Sequence, residues 1–197
     1  MLAKPALVIL AVCCAMLIGH WIIDTGSADA SSTPSNTQVT VSMDASWTRL
    51  YHDLRSLRLA SDVVVEGSVT AVIGQSIDQE IPFTDFIFQV AHTLSDPNHL
   101  LTGGPIVIHQ SGGPVTMNIK GTMTTVHMEI TDDPLMHVGD HLFLFLHQYA
   151  PGHYFVVGGP SGRFAVLNGI VRPINDEGVR VSGSPSSAAF TSTVQAA

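Results

Sequence analysis

Apolar residues recur at every second position in two long segments of this chain, at residues 62–73 and 83–94. Successive side chains of an extended strand point to opposite faces, so a period of two is typical of strands that bury one face. In the first segment Val63, Val65 and Val69 share a face, and polar side chains take the other. The pattern predicts two half-buried β-strands and restricts the chain to folds built on a sheet.

Short runs rich in β-branched and aromatic residues predict further strands, at residues 105–110, 124–130, 142–148, 154–158 and 163–167. Every residue from 142 to 146 is apolar, which indicates a central strand covered on both faces. Asn168 and Gly169 stand between two apolar runs. This dipeptide favours the type I′ turn of a β-hairpin, because both of its residues tolerate a positive φ.

The order of these elements predicts a mainly-β fold. The strands follow one another without the long crossover helices that neighbouring parallel strands need. We therefore predict a small antiparallel, OB-like barrel or a sandwich, preceded by one amphipathic helix and an N-terminal hydrophobic segment. The mostly-β domain is expected to span residues 43–181.

One amphipathic helix is predicted at residues 46–60, ahead of the strands. Its apolar positions fall at steps of three and four, which places them on one face of a helix. They are Trp47, Leu50, Tyr51, Leu54 and Leu57. Asp44 or Ser46 is the expected N-cap.

The N-terminus has the three regions of a secretory signal. Lys4 precedes an apolar run at residues 5–23, and the sequence ADA at residues 28–30 resembles a cleavage site. An uncleaved signal anchor is the alternative, because the apolar run is about long enough to span a bilayer. Both interpretations of residues 1–30 place the rest of the chain outside the cytoplasm, either secreted or tethered.

Two segments that flank the domain are predicted to lack structure. Residues 31–42 are mostly small and polar with one proline, which is typical of a flexible spacer. Residues 182–197 show no period, so we expect a loose tail there.

Charge and cysteine content exclude several classes of function. The formal net charge is −8 and the few basic residues are scattered, so the chain lacks the positive stripe that binds nucleic acid. Both cysteines, Cys13 and Cys14, lie in the N-terminal apolar run. The rest of the chain therefore has no disulfide, thiolate metal site or cysteine nucleophile. Membrane contact is expected only through the N-terminal segment.

Four segments of the chain carry a resemblance to a known group of proteins. They are residues 61–69 (SDVVVEGSV), 86–90 (FIFQV), 138–146 (VGDHLFLFL) and 158–164 (GGPSGRF). In this order they resemble secreted bacterial proteins of unknown function whose pattern is similar to the netrin-like, TIMP-like OB barrel. The resemblance covers about residues 61–170 and implies a barrel.

The absence of cysteine from the domain limits what this resemblance implies. Inhibitors of the TIMP class bind the protease metal through an N-terminal cysteine, and disulfides hold the edge of their barrel. Neither feature has a counterpart after residue 14. Protease inhibition therefore does not carry over, and the resemblance supports the barrel alone.

Histidine is the one reactive residue type that is enriched in the domain. Four histidines lie around the predicted apolar strand and are the candidate metal ligands. They are His137, His141, His147 and His153. Imidazoles that converge on one point can bind zinc or copper. The alternative is that these are scattered surface histidines, and no other cofactor motif is present.

Five aromatic residues cluster in the same part of the sequence and raise the possibility of an exposed binding face. They are Phe143, Phe145, Tyr149, Tyr154 and Phe155. Because aromatic residues in such apolar strands are usually buried, we interpret them as part of the barrel core.

The sequence contains no recognisable catalytic motif. Ser161 lies in a glycine-proline turn whose spacing differs from that of a nucleophile elbow. We therefore expect a non-enzymatic β-barrel module that binds a protein, a glycan or another component of the cell envelope. Its variable surface would be loops at residues 74–82, 96–104 and 131–141. A histidine-based metal-binding protein or metal-dependent enzyme is the alternative, and a purely structural spacer domain is the third.

Overall fold

The computed structural model describes residues 40–44, 49, 51–78, 81–175 and 179–197. The predicted N-terminal segment, at residues 1–30, lies outside this part of the chain. The described strands are β1 (Thr40–Met43), β2 (Val63–Asp78), β3 (Ile81–Ser95), β4 (Ile106–Ser111), β5 (Gly113–Ile119), β6 (Thr122–Ile130), β7 (His141–Ala150), β8 (His153–Val156), β9 (Arg163–Leu167) and β10 (Ile170–Pro173). The described helices are α1 (Leu54–Leu59), α2 (Ser187–Ala196) and one 3-10 turn, Gly159–Gly162. The prediction of a mainly-β fold is confirmed.

Five strands close into a barrel. The pairing runs β2–β3–β4–β8–β7 and returns to β2, and among these five strands β4 and β8 are the pair that runs parallel. Strands β9 and β10 continue the sheet beyond β7. A closed barrel of five strands confirms the predicted OB-like barrel over the sandwich.

Strand β7 is buried on both faces over residues 142–146, as its continuous apolar run predicts. Leu144 and its neighbours two residues away face the barrel interior, where they meet apolar side chains of the other four barrel strands. Phe143 and Phe145 point the other way, into a second core outside the barrel. One strand therefore contributes to two cores.

Strand β2 is buried on both faces as well, so the prediction that it is half-buried is wrong for its first half. Val63 and Val65 line the barrel, whereas Val64 belongs to the second core. The helices α1 and α2 supply that second core from distant parts of the sequence. They cover a face that the local pattern assigns to solvent.

The predicted hairpin at Asn168 and Gly169 is confirmed. Leu167 pairs with Ile170 across the turn between β9 and β10. The φ angles of Asn168 and Gly169 are 52° and 76°. Positive φ at both central residues defines the type I′ turn, whose twist matches that of the strands it joins.

The prediction of a loop at residues 74–82 is wrong. Strands β2 and β3 remain paired as far as Asp78 and Ile81, with Gly74 opposite Asp85. The glycine and polar residues of this segment show no alternating apolar pattern, so the sequence does not reveal the strand. Backbone pairing nevertheless extends the hairpin through it. The predicted loops at residues 96–104 and 131–141 are loops in the structure, the second ending where β7 begins.

The predicted helix at residues 46–60 is wrong in extent, since α1 begins only at Leu54. Asp53 is its N-cap: the backbone of Asp53 is extended, and its carboxylate accepts a hydrogen bond of 2.7 Å from the backbone N–H of Ser56. Tyr51 precedes the helix in an irregular segment and is buried in the second core. The apolar residues that predict a helix therefore belong partly to an irregular segment, in which Tyr51 is buried without being helical.

Residues 40–42 of the predicted flexible spacer belong to a strand, which corrects that prediction at its end. Strand β1 pairs in parallel with β6 in a three-stranded sheet of order β1–β6–β5. Val41 and Met43 pack on the apolar side chains of this small sheet. This pairing joins residues that are far apart in sequence, so the polar composition of the spacer does not reveal it.

The predicted loose tail at residues 182–197 is wrong, because residues 187–196 form helix α2. The Ser186 hydroxyl caps the helix by accepting a hydrogen bond of 3.3 Å from the backbone N–H of Ala189. Phe190 and Val194, one turn apart, are completely buried. The Phe190 ring lies 4.8 Å from that of Phe143, centroid to centroid. This long-range contact holds helix α2 in place, although the apolar residues of the segment show no strong helical periodicity.

We predict that Phe190→Ala lowers the free energy of unfolding by about 3–5 kcal/mol, because it leaves a cavity in the second core. Urea denaturation of the purified protein measures this. Ser192→Ala, on the exposed side of the same helix, is the control and should change stability by less than about 0.5 kcal/mol. Equal effects of the two variants would contradict the docking of α2.

Candidate functional site

Aromatic and ionisable side chains share the outer surface of strands β3, β4, β7 and β8. Along β3 and β4 the side chains alternate, so Thr84 and Ile108 are buried while Asp85 and His109 lie on the outer side. Asp85 is directly opposite His109 in the ladder, and His109 is opposite Phe155 on β8. The register therefore brings residues of three strands to one place.

We call this surface the aromatic face. It consists of Phe83, Asp85, His109, Tyr149, His153 and Phe155. The Phe83 and His109 rings are stacked, with centroids 4.5 Å apart and an angle of 10° between the planes. Phe155 packs edge-on against His109 at 5.2 Å. Offset and edge-on contacts of this kind are the favoured geometries of aromatic rings.

Tyr149 is the outermost ring of the aromatic face. It is 45% exposed, and its centroid lies 4.4 Å from that of Phe155 and 5.9 Å from that of His153. Partial burial and the negative charge of Asp85 raise the pKa of the Tyr149 hydroxyl, so it remains protonated and can donate a hydrogen bond at neutral pH. The face thus offers exposed aromatic surface beside polar groups.

Asp85 fixes the orientation of the imidazole in the aromatic face. Its carboxylate Oδ1 forms a hydrogen bond with Nδ1 of His109. Both side chains are largely buried. With Nδ1 engaged, Nε2 is the ring nitrogen of His109 that can bind a ligand.

The four predicted metal ligands do not form one group in the structure. His137, His141 and His147 each lie near a different carboxylate, at 3.9, 3.3 and 2.7 Å. His153 instead packs against Tyr149. Among the described residues, no three histidines, cysteines or carboxylates are close enough to hold a metal ion together. Distance along the backbone separates them: His141 and His147 lie six residues apart on β7, about 20 Å along an extended strand, and His137 lies in the preceding loop.

The five clustered aromatic residues divide between core and surface. Phe143, Phe145 and Tyr154 are completely buried, which confirms their interpretation as core residues. Tyr149 and Phe155 lie on the aromatic face, and for them the interpretation is wrong. Sequence reasoning missed Phe83, Asp85 and His109 as site residues because the pairing of β3 with β4 decides their proximity. The alternation within residues 83–88 and 106–111 was the available signal.

A buried polar network lies beneath this surface and holds the loop at residues 131–141. Nη2 of Arg163 bonds to the carboxylate of Asp133 and, at 2.7 Å, to the carbonyl of Pro134. Gln110 donates to Asp133 at 3.2 Å and accepts from the backbone N–H of Met136 at 3.0 Å. The predicted variable loop is therefore tied to β4 and β9.

Burial dominates the electrostatics of this network. It raises the pKa of Asp133, an effect that the positive charge of Arg163 opposes. It also lowers the pKa of Arg163, although Asp133 opposes this shift. The adjacent cavity has a volume of about 60 Å³, far below the several hundred Å³ of ordinary ligand sites. We therefore interpret the network as a structural tether.

Comparison with protein-family models finds no match for this chain, and comparison with curated proteins finds none either. In the part of the chain that the structure describes, none of the helices is long and apolar enough to cross a membrane.

We predict that Asp133→Ala lowers the free energy of unfolding by about 3–5 kcal/mol, because Arg163 is left buried without a counter-charge. The double variant Asp133→Leu/Arg163→Met should recover most of this loss, since it removes both charges. Equilibrium urea unfolding measures both. Glu129→Ala, which removes an exposed carboxylate 3.8 Å from His127, is the control and should cost less than about 1 kcal/mol. A double variant no more stable than the single one would contradict the role assigned to the pair.

Proposed function

We propose that this protein is an exported, non-enzymatic binding module whose aromatic face holds a glycan of the cell envelope. The observation that carries the proposal is the exposed Tyr149 ring beside the stacked pair of Phe83 and His109. Export would place the domain outside the cytoplasm, where glycans of the cell envelope are found.

The position of the aromatic face on the barrel supports a sugar ligand. OB-type barrels bind oligosaccharides and oligonucleotides on their second and third strands and on the loop between the fourth and fifth. In chain order the five barrel strands are β2, β3, β4, β7 and β8. The second and third strands are therefore β3 and β4, and the loop between the fourth and fifth is the β7–β8 turn. Phe83, Asp85 and His109 lie on the first two of these strands, while Tyr149 and His153 flank the turn.

The chemistry of the face favours a glycan over a nucleic acid. Flat rings pack against the C–H faces of sugars, and the Asp85 carboxylate, the His109 imidazole and the Tyr149 hydroxyl can hydrogen-bond to sugar hydroxyls. Aromatic surfaces also stack on bases, but such proteins pair them with a positively charged groove. The net charge of −8 opposes a polyphosphate ligand.

The histidine content of the sequence also suggests a metal-dependent enzyme, but the positions of the histidines in the structure support it less. Such an enzyme needs imidazoles that converge on one ion. His137, His141, His147 and His153 each have a different neighbour. We therefore rank binding first.

Export rests on the sequence pattern alone. A basic start, an apolar run at residues 5–23 and the ADA sequence at 28–30 are the features that support it. The domain beyond has no cysteine, so it needs no oxidative folding outside the cytoplasm.

We predict that a bacterium expressing the full chain exports it, and that fractionation and intact-mass analysis detect a product beginning at Ser31. A full-length product in the membrane fraction would indicate the uncleaved anchor instead. Val12→Arg should block export, because a charge in the apolar run opposes its insertion. Thr33→Arg, beyond the run, is the matched control. Retention of the unaltered chain in the cytoplasm would contradict export.

We predict that soluble N-acetylhexosamine oligomers bind the purified protein, with shifts of the aromatic NMR signals on titration. Tyr149→Ala should weaken binding by about tenfold or more, since burying one large apolar side chain against a ligand is worth roughly 1.5–3 kcal/mol. Tyr149→Phe keeps the ring and should retain most of the affinity. Leu167→Ala, an exposed apolar residue on the β9–β10 hairpin, should have no effect. Unaltered NMR spectra at millimolar oligosaccharide would refute the glycan proposal.

A further inference from the structure

A cleft lies between the β2–β3 pair and helix α2, and it shares no residue with the aromatic face. Its volume is about 510 Å³, which is within the range of small-molecule sites. The side chains that matter for its chemistry are Glu66, His92, Leu94, Ser187, Thr191 and Gln195. None of these belongs to the aromatic face or to the buried network, so the cleft is a separate candidate site.

Glu66 is a nearly buried carboxylate at this cleft. Its side chain is 9% exposed, and in the ladder it stands opposite His92 on β3 and Phe143 on β7. Its ionic neighbour within the described residues is Nε2 of His141, which lies 3.3 Å from Oε1. No described lysine or arginine pairs with Glu66, so its charge has no permanent counter-ion in that part of the chain.

Polar side chains on one face of helix α2 line the same cleft. Ser187, Thr191 and Gln195 are four residues apart and therefore lie on one face of the helix. Their side chains form no hydrogen bond with any residue that the structure describes. By contrast, the Ser192 and Thr193 hydroxyls bond to helix carbonyls at 3.0 and 2.9 Å. The cleft thus has hydroxyl and amide groups that bond to no described residue, beside a carboxylate whose ionic neighbour among the described residues is a histidine.

We infer that this cleft binds a primary ammonium group on an alkyl chain. An ammonium offers three N–H donors and one positive charge. The Glu66 carboxylate supplies the opposite charge, and Ser187 and Thr191 supply further acceptors. Leu94, which also lines the cleft, provides an apolar contact for the alkyl chain.

Other ligand classes fit the cleft less well. A neutral ligand adds no positive charge beside Glu66, whose side chain is only 9% exposed and whose ionic neighbour among the described residues is one histidine. Divalent cations such as Ca²⁺ need six or more oxygen ligands and usually several carboxylates, whereas Glu66 is the only carboxylate lining the cleft among the described residues. An anion is repelled. An alkylammonium satisfies both the charge and the unused hydrogen-bonding groups.

The ammonium could come from a free diamine or from a lysine side chain, and two probes separate these sources. Cadaverine represents the free amine, and N-acetyl-lysine amide represents a lysine within a peptide. We expect at least one of them to bind the purified full-length protein in calorimetric titration and to shift the ring signals of His92 and His141 in NMR spectra. Pentanol, the uncharged analogue of similar length, should not bind. If only cadaverine binds, the ligand is a free amine, and if only the lysine derivative binds, it is a lysyl group.

Glu66→Gln tests the role of the charge without changing the size of the side chain. We expect it to weaken amine binding by about tenfold or more, because a charge-assisted hydrogen bond is lost. Glu129→Gln is the matched control: Glu129 also lies near a histidine, His127, but on the small sheet, and its loss should leave affinity unchanged. Thr191→Val removes one acceptor hydroxyl at constant shape and should weaken binding by about threefold or more. It provides a second variant if Glu66→Gln does not fold.

The inference fails if neither amine binds the unaltered protein, or if Glu66→Gln binds as tightly as Glu129→Gln. Its failure is separate from that of the proposed glycan function, because Tyr149→Ala should leave amine binding unchanged and Glu66→Gln should leave glycan binding unchanged.

Discussion

The pairing of β2 with β7 is the constraint on which the rest of this structure depends. Residues Val63 to Ser68 pair in an unbroken antiparallel register with residues 141–146, and the apolar side chains of both strands are divided between two cores. One set of side chains fills the barrel, and the other forms the base on which α1, α2 and the β9–β10 hairpin pack. A polar substitution on either face would therefore expose or disrupt one of the two cores.

Both candidate sites are by-products of this arrangement. Closure of the barrel brings β3, β4 and β8 together, which collects Phe83, His109 and Phe155 into one surface. The second core requires α2 to cover the opposite side of β2, and the cleft at Glu66 lies where this cover is incomplete. The aromatic face is therefore built on rigid paired strands, whereas the cleft depends on the docking of a short helix.

The buried network of Asp133, Arg163 and Gln110 serves a different purpose from the cores. Burial shifts the pKa of Asp133 up and that of Arg163 down, and the opposite charge of each partner opposes these shifts. Such a pair adds little net stability, but loss of one partner is costly. Its physical effect is to hold the long loop between β6 and β7 at one position on the barrel. Pro134 and Met136 are fixed by direct hydrogen bonds to it.

The sequence by itself determined the elements whose signals are local: the alternating strands, the doubly buried run at residues 142–146 and the Asn168–Gly169 turn. Period, continuous apolarity and a dipeptide that tolerates positive φ are properties of neighbouring residues, so they can be read from the sequence. The tertiary structure alone decided the rest. Helix α2 forms because Phe190 meets Phe143 and Phe164. The predicted histidine set is dispersed because its members lie in a loop, six residues apart on β7 and at the start of β8, where each meets a different neighbour. The aromatic face and the Glu66 cleft depend on cross-strand register and helix docking, which join residues across long stretches of chain.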